Sequence, residues 1–211
     1  MDFRARDAFD KLLTLPFETV IDIGCGQGDH THAFREAGKQ VIPVDLGAQN
    51  VAGIVRADYN KVTLVPADAV WCCHVLEHQL NVNQFLRKVA GDVKDGGWLA
   101  ITVPPLKHEI VGGHVTLWNA GLLLYNLILA GVDCSQAMVK SYGYNISVIV
   151  KKSKSIKLPE LNYDKGDIEL LARFFPPNCR NQGFWVNIVE LNWDQDQQVR
   201  EPILFDRAGG D

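Results

Sequence analysis

The segment VIDIGCGQGDHT at residues 20–31 constrains the fold of this chain more than any other. Residues 20–23 are typical of a buried strand, and they lead directly into Gly24, Gly26 and Gly28. Glycines allow a tight turn, and they let a ligand approach the free N–H groups at the start of the next helix. The pattern therefore predicts a strand, a loop that binds a nucleotide cofactor, and a helix in immediate succession.

Strand and helix patterns alternate along the first 130 residues. Strands are predicted at 20–23, 40–46, 67–75 and 98–105, with a shorter segment at 53–58, and helices at 3–14, 30–38, 81–93 and 117–131. Such alternation with short loops is typical of a parallel sheet covered on both faces. We therefore expect an α/β fold with a doubly wound, Rossmann-like, mostly parallel sheet. Its ligand should bind beyond the carboxyl ends of the strands.

The later part of the chain has a different pattern. Residues 137–152 predict a late antiparallel pair of edge strands with a turn near Gly143. We expect residues 1–152 to form the cofactor-binding domain. Residues 153–211 are expected to be a C-terminal extension that packs on the same domain, as a lid or through an extra strand at 183–193.

Composition excludes several classes of partner. The net charge of −4 argues against a protein that grips a phosphate backbone, so we expect no nucleic-acid partner. The most apolar segment, 117–132, is shorter than the roughly 18 to 20 residues of a membrane span, so no span is expected. Five cysteines without a CxxC pair favour a reducing compartment, which predicts a cytoplasmic protein.

The spacing of the glycines distinguishes between cofactors. A dinucleotide loop reads GxGxxG, and here Asp29 stands where its third glycine would fall. The run from Asp22 to Gly28 instead resembles the first motif of the class I S-adenosylmethionine-dependent methyltransferases, D/E-x-G-x-G-x-G, and matches each fixed position. A carboxylate at this strand end suits the ammonium and sulfonium charges of that cofactor better than a pyrophosphate.

The resemblance continues beyond the glycine loop. It implies that Asp45 binds the ribose hydroxyls, that Leu46 packs on adenine, and that Asp58 lies near the adenine amino group with Tyr59 alongside. The segment HVLEH at 74–78 resembles the family's fourth motif, which lies beside the methyl group. The cofactor contacts implied in this way are Asp22, Gly24, Cys25, Gly26, Gly28, Asp45, Leu46, Asp58, Tyr59, Cys73 and His74.

Three histidines are candidates for the chemistry. A hydroxyl acceptor must lose a proton, and histidine titrates in the right range to accept it. His114 lies in the glycine-containing loop KHEIVGGHVTLW and is the first choice as base or acceptor ligand, although a cap on the next helix is an open alternative. His78 and His74 are the other candidates, with capping or packing open for His78 and a contact to cofactor or backbone open for His74.

The acceptor is less constrained than the cofactor. The family's N/D-P-P-Y/F motif, frequent in members that methylate nitrogen, is absent, so an oxygen or carbon acceptor is favoured, and we expect O-methylation. We expect a small-molecule acceptor, with a sugar or sugar nucleotide of surface-glycan synthesis as the specific hypothesis. A non-catalytic partner that binds the same cofactor and an NAD-dependent oxidoreductase are the alternatives, and a homodimer is left open. No metal is expected, since His108, Glu109 and His114 lack a recognised ligand spacing.

Overall fold

The computed structural model describes residues 3–47 and 50–194. The helices are α1 Arg6–Leu13, α2 Asp29–Glu36, α3 Val82–Gly91, α4 Ala120–Leu129 and α5 Asp167–Leu170. The strands are β1 Thr19–Ile23, β2 Gln40–Asp45, β3 Val55–Arg56, β4 Ala67–Cys73, β5 Val93–Val103, β6 Met138–Tyr142, β7 Asn145–Lys151 and β8 Glu190–Leu191. Residues 195–211, the end of the expected extension, lie outside the described ranges.

The strands form one sheet in the order β3-β2-β1-β4-β5-β7-β6-β8 within the described residues. β1 to β5 pair in parallel, whereas β7 pairs antiparallel with both β5 and β6, and β8 pairs antiparallel with β6. The predicted α/β class, with a mostly parallel sheet and late antiparallel edge strands, is confirmed. Strand order reverses at β1 and β4, which is where this architecture binds ligands.

Alternate side chains of the central strands supply two cores, one on each face of the sheet. Ile21, Val70 and Cys72 pack with α3 and α4, while Val20 and Trp71 pack with α1 and α2. Both faces of the sheet are therefore covered, as the apolar runs of these strands require. Among the described residues, the helices are all too short or too polar to cross a lipid bilayer.

Residues 153–194 lie against the same core. Leu171, Phe175 and Ile188 are buried with the α3 and α4 side of the sheet. The amide of Cys134 donates to the carbonyl of Phe174 at 3.0 Å. The strand expected over 183–193 is limited to β8, since only its two residues pair with β6.

Two local features differ from the sequence prediction. The strand predicted at 98–105 begins earlier, at Val93, and residues 94–97 form an excursion within it: the register moves from Ala67 opposite Val93 to Ala69 opposite Trp98. The strand predicted at 67–75 ends at Cys73, and residues 76–78 form a separate 3₁₀ turn before α3. His74, at the junction, has a left-handed φ of 55° that a single sequence does not reveal.

Candidate cofactor and acceptor site

The glycine loop after β1 has the geometry of a ligand cradle. Gly24, Gly26 and Gly28 all have positive φ, at 69°, 53° and 88°. A Cβ at Gly24 would lie 2.3 Å from Val75 Cγ2, so glycine there is required by packing. A Cβ at Gly26 would meet no described atom within 4 Å, so this backbone faces open space that a ligand can enter.

Beside the loop lies a cleft of about 850 Å³ at the carboxyl ends of β1, β2 and β4. Among the predicted cofactor contacts, it is lined by Gly24, Asp45, Leu46, Asp58, Tyr59 and His74, and His78 also lines it. The side chain of Leu46 is 78% exposed at this rim. An apolar side chain left in solvent at the mouth of a cleft is suited to covering a flat, apolar ligand surface.

Asp45 connects β2 to the glycine loop. One of its carboxylate oxygens accepts from the amide of Gly26 at 2.9 Å, and the other accepts from the amide of Gly47 at 2.7 Å. Each carboxylate oxygen can accept more than one hydrogen bond. The side chain is therefore oriented by the backbone and can still accept hydroxyl donors from the cleft.

Asp22 is fully buried beneath the loop and is not among the residues that line the cleft. Thr31 of α2 donates its hydroxyl to this carboxylate at 2.6 Å. Burial raises the pKa of Asp22 to about 6, against the lowering effect of the hydrogen bond from Thr31. In this structure the carboxylate therefore ties β1 to α2, and its predicted contact with the cofactor stays a prediction.

The two cysteines expected near the cofactor are shielded thiols. Cys25 is buried in the glycine loop, and burial raises its pKa to about 12. Burial also raises the pKa of Cys73, which packs against the α1 and α2 side of the sheet. Both side chains stay protonated near neutral pH and have no nucleophilic character.

Asp58 and Tyr59 face the cleft differently. The Asp58 carboxylate accepts from the amide of Asn60 at 3.0 Å and pairs with Lys61 at 3.3 Å. The hydroxyl of Tyr59 points away, since it donates to Asp92 at 2.7 Å. Tyr59 therefore offers the cleft part of its ring, whereas Asp58 offers a polar group.

His74 is the most enclosed of the three candidate catalytic histidines. Its side chain is 6% exposed, Nε2 lies 3.0 Å from Oδ1 of Asn145, and Nδ1 lies 3.3 Å from Oε1 of Glu77. Both ring nitrogens face protein groups. This arrangement suits a residue that positions its neighbours at the end of β4.

The other two histidines are brought together by the loop at 104–119. Nδ1 of His78 lies 2.7 Å from the carbonyl oxygen of Gly113, and the amide of Val115 donates to the carbonyl of Glu77 at 2.8 Å. The rings of His78 and His114 meet edge to face at 5.1 Å. The predicted loop thus lies directly over the HVLEH segment.

A second cleft, of about 400 Å³, lies under this loop. Its lining includes Leu106, Lys107, His108, His114, Trp118 and Tyr144. His78 lines the first cleft and His114 the second, so the histidine pair marks the boundary between them. His108 and Glu109 are exposed and do not join the His114 cluster.

Glu77, the acid of the HVLEH segment, also belongs to this site. Its side chain is 1% exposed, and neither carboxylate oxygen has a hydrogen-bond partner among the described residues. The nearest ring nitrogens are Nδ1 of His74 and Nε2 of His78, at 3.3 and 3.8 Å from Oε1. An acid flanked by histidines three residues before and one after was the signal that could have found it.

Comparisons with known proteins place this geometry in context. A family model described as a methyltransferase domain matches residues 2–126, more than half of the chain. The ubiquinone biosynthesis O-methyltransferase of Bradyrhizobium sp. (strain ORS 278) is 32% identical over 97 residues, which are 39% of this chain and 38% of that protein. The chain thus spans well under half the length of that relative.

Two further proteins resemble longer parts of the chain. A probable ribosomal RNA small subunit methyltransferase A from Methanosarcina barkeri is 24% identical over 202 residues, covering 90% of this chain and 64% of that protein. The Burkholderia thailandensis 1,6-didemethyltoxoflavin-N1-methyltransferase, solved with S-adenosylhomocysteine, has a TM-score of 0.59 at 17% identity. The match covers 71% of this chain and 78% of that one, and it supports the fold.

Proposed function

This chain belongs to the methyltransferase-domain family, and we propose that it transfers a methyl group from S-adenosylmethionine to a hydroxyl of a small molecule. The observation that carries the proposal is the meeting of the two clefts at His78 and His114. A donor in the first cleft and an acceptor in the second would have their reacting atoms at this boundary. Holding two reactants at near-attack distance supplies most of the rate in such a displacement.

The first cleft and the glycine loop beside it fit S-adenosylmethionine. Gly26 leaves room for a ligand against the backbone, Asp45 presents oriented carboxylate oxygens for ribose hydroxyls, and Leu46 is free to cover adenine. When bound, this cofactor supplies a methyl group made electrophilic by a sulfonium sulfur. The neighbour solved with S-adenosylhomocysteine has the same fold, which supports placing the cofactor here.

Oxygen is the acceptor atom that we favour. The ubiquinone-pathway relatives are named O-methyltransferases, and the Bradyrhizobium protein matches this chain over 97 residues. The new C–O bond replaces the C–S bond, the bonding electrons stay on sulfur, and the hydroxyl proton leaves the acceptor. His78 and His114 are the groups that we assign to the acceptor hydroxyl, because His74 has both ring nitrogens turned to protein groups.

The finer acceptor and location hypotheses stay predictions. A sugar acceptor has no support from the ubiquinone-pathway relatives. An RNA substrate is disfavoured because the chain has a net charge of −4 and carries CHVLEH at the end of β4 in place of N/D-P-P-Y/F. This holds although a probable ribosomal RNA methyltransferase resembles the chain. A cytoplasmic location and a homodimer likewise remain as expected from the sequence alone.

Calorimetric titration with S-adenosylhomocysteine tests the cofactor site. Gly26→Ala places a methyl group in the open space of the loop, where it would block the close approach of a ligand to the backbone. We therefore expect the affinity of this variant for S-adenosylhomocysteine to fall about 100-fold or more. Gly38→Ala is the matched control, because Gly38 has a similar φ of 77° and a Cβ there would meet no described atom within 4 Å. Equal affinities in the two variants would refute the site.

Product formation tests the reaction. S-adenosylhomocysteine release is measured with panels of catechols, other phenols and sugars as acceptors. His114→Ala should lose turnover while its affinity for S-adenosylhomocysteine stays nearly unchanged. Cofactor binding without turnover on any panel would favour the non-catalytic alternative, and binding of NAD instead would favour the oxidoreductase.

A further inference from the structure

The carboxylate of Glu77 is an unexplained feature of the site. It is buried at the base of the loop at 104–119, and neither oxygen accepts a hydrogen bond from a described group. An ionised carboxylate removed from water is strongly destabilising unless a positive charge or hydrogen-bond donors compensate it. The nearest groups that can carry a positive charge are the imidazoles of His74 and His78, whose ring nitrogens lie 3.3 and 3.8 Å from Oε1 of Glu77, outside hydrogen-bond contact.

Two histidines converge on this carboxylate. One ligand atom each from Glu77, His78 and His114 lie within 4.8 Å of one another. Around one tetrahedral ion with bonds of about 2.1 Å, such atoms lie about 3.4 Å apart. Metal binding would therefore require the side chains of the exposed His78 and the partly exposed His114 to move closer to the Glu77 carboxylate.

The ring of His78 is oriented by its backbone partner. The carbonyl of Gly113, 2.7 Å from Nδ1, can only accept, so Nδ1 donates a proton to it. This contact turns Nε2 towards the Glu77 carboxylate, with Nε2 and Oε1 3.8 Å apart. Metal-bound histidines typically donate their second N–H to a backbone carbonyl, which fixes the ring in this way.

We propose that Glu77, His78 and His114 bind one Zn²⁺ or a similar transition-metal cation. One carboxylate and two imidazoles form a donor set that zinc accepts with a coordination position left open. Mg²⁺ prefers all-oxygen ligands and fits the set poorly. The cation would supply positive charge to Glu77, and its absence, as expected from the sequence, is the alternative that the experiment tests.

The position of this site gives the cation a role that rests on the proposed function. His78 belongs to the first cleft and His114 to the second, so an open coordination position would face the acceptor. A bound cation lowers the pKa of a coordinated hydroxyl, which releases its proton to solvent. The histidine pair would then act on the acceptor as ligands of the ion.

Cobalt titration of the tag-free full chain, after treatment with a chelator, tests the site without an acceptor. We expect one equivalent of Co²⁺ to produce visible d–d absorption and Zn²⁺ to displace it, whereas Mg²⁺ does not. His114→Ala should weaken the affinity about 100-fold or more, since even partners outside the coordination sphere contribute up to that much. His108→Ala, from the same loop, should bind Co²⁺ as the wild type does.

Two results would overturn the site: no absorption change with Co²⁺, or equal Co²⁺ affinity in His114→Ala and the wild type. The absence of an absorption change is also the result expected if a protonated His74 alone neutralises the negative charge of Glu77. Glu77→Gln is a second variant, with its fold checked by circular dichroism. S-adenosylhomocysteine calorimetry on the same samples separates the two proposals. If the protein binds S-adenosylhomocysteine but not Co²⁺, only the metal site is rejected. If it binds Co²⁺ but not S-adenosylhomocysteine, only the methyltransferase function is rejected.

Discussion

Asp22→Asn should stabilise the folded chain at neutral pH, although it removes a charge from the first motif. Burial raises the pKa of Asp22 from 3.8 to about 6. Between these values the folded chain retains a proton that the unfolded chain has lost, so stability falls as the pH rises. Above about pH 6 the folded state carries the full cost of a buried, ionised carboxylate, which asparagine avoids.

The size of the effect follows from the shift in pKa. A change of about two units corresponds to about 3 kcal/mol in the free energy of unfolding, at 1.36 kcal/mol per unit. Asparagine keeps an acceptor for the Thr31 hydroxyl, so the hydrogen bond to α2 survives. Urea unfolding should therefore find little difference between wild type and variant near pH 4, and a gain that grows to this size by about pH 7.

Asp68→Asn is the control of opposite sign. Asp68 accepts from Lys94, from the amides of Glu18 and Thr19, and from the Thr19 hydroxyl, and its pKa lies below the usual range. It stabilises the fold above the unfolded pKa of 3.8, and this contribution is lost as the pH falls further. Its substitution should thus destabilise at neutral pH. A constant effect of Asp22→Asn across the pH range, at equal urea m-value, would refute the reasoning.

Three other substitutions test separate contacts. Gly113 has a φ of 80°, and a Cβ there would lie 3.1 Å from Nδ1 of His78. Gly113→Ala should therefore reduce turnover about 100-fold and leave the affinity for S-adenosylhomocysteine unchanged. Equal turnover would show that the contact between Gly113 and His78 is dispensable. Tyr59→Phe removes the donor to Asp92 and should cost about 1 to 3 kcal/mol in urea unfolding, without a change in cofactor affinity; a weaker affinity would place the hydroxyl in the site. Asn119→Ala removes the side chain that caps α4 and should cost about 1 kcal/mol, and no loss in thermal unfolding would exclude the cap.

Local sequence patterns were sufficient to predict most of the fold. The nearly continuous apolar runs of β1 and β4 indicated strands buried on both faces, and Gly38, with φ 77°, closes the region predicted as helix at 30–38. The excursion of β5 was missed because its cause is tertiary. A Cβ at Gly97 would lie 2.4 Å from the carbonyl oxygen of Asp68, a contact that no single segment encodes.

Only part of the site was predictable, because sequence motifs indicate contacts between neighbouring segments and not contacts between distant ones. Motif spacing pointed to Asp45 and to the glycine loop, because their contact lies within one strand–helix–strand unit, from β1 to β2. The cluster of Glu77 with His114 joins residues 37 positions apart, and it depends on how the loop at 104–119 folds over β4. The sequence indicated the histidines and the HVLEH acid separately, but it could not show that Glu77 and His114 lie together.

The contacts that hold the loop at 104–119 in place do not depend on its exposed side chains. Main-chain atoms make much of the attachment: the amide of Val115 donates to Glu77, the carbonyl of Gly113 faces His78, and the amide of Leu106 donates to the carbonyl of Trp118. The side chains at 106–110 are exposed and have no part in these bonds. Paralogues could therefore exchange this stretch freely and acquire new acceptors while the donor cleft stays intact, which makes it the natural segment for library design.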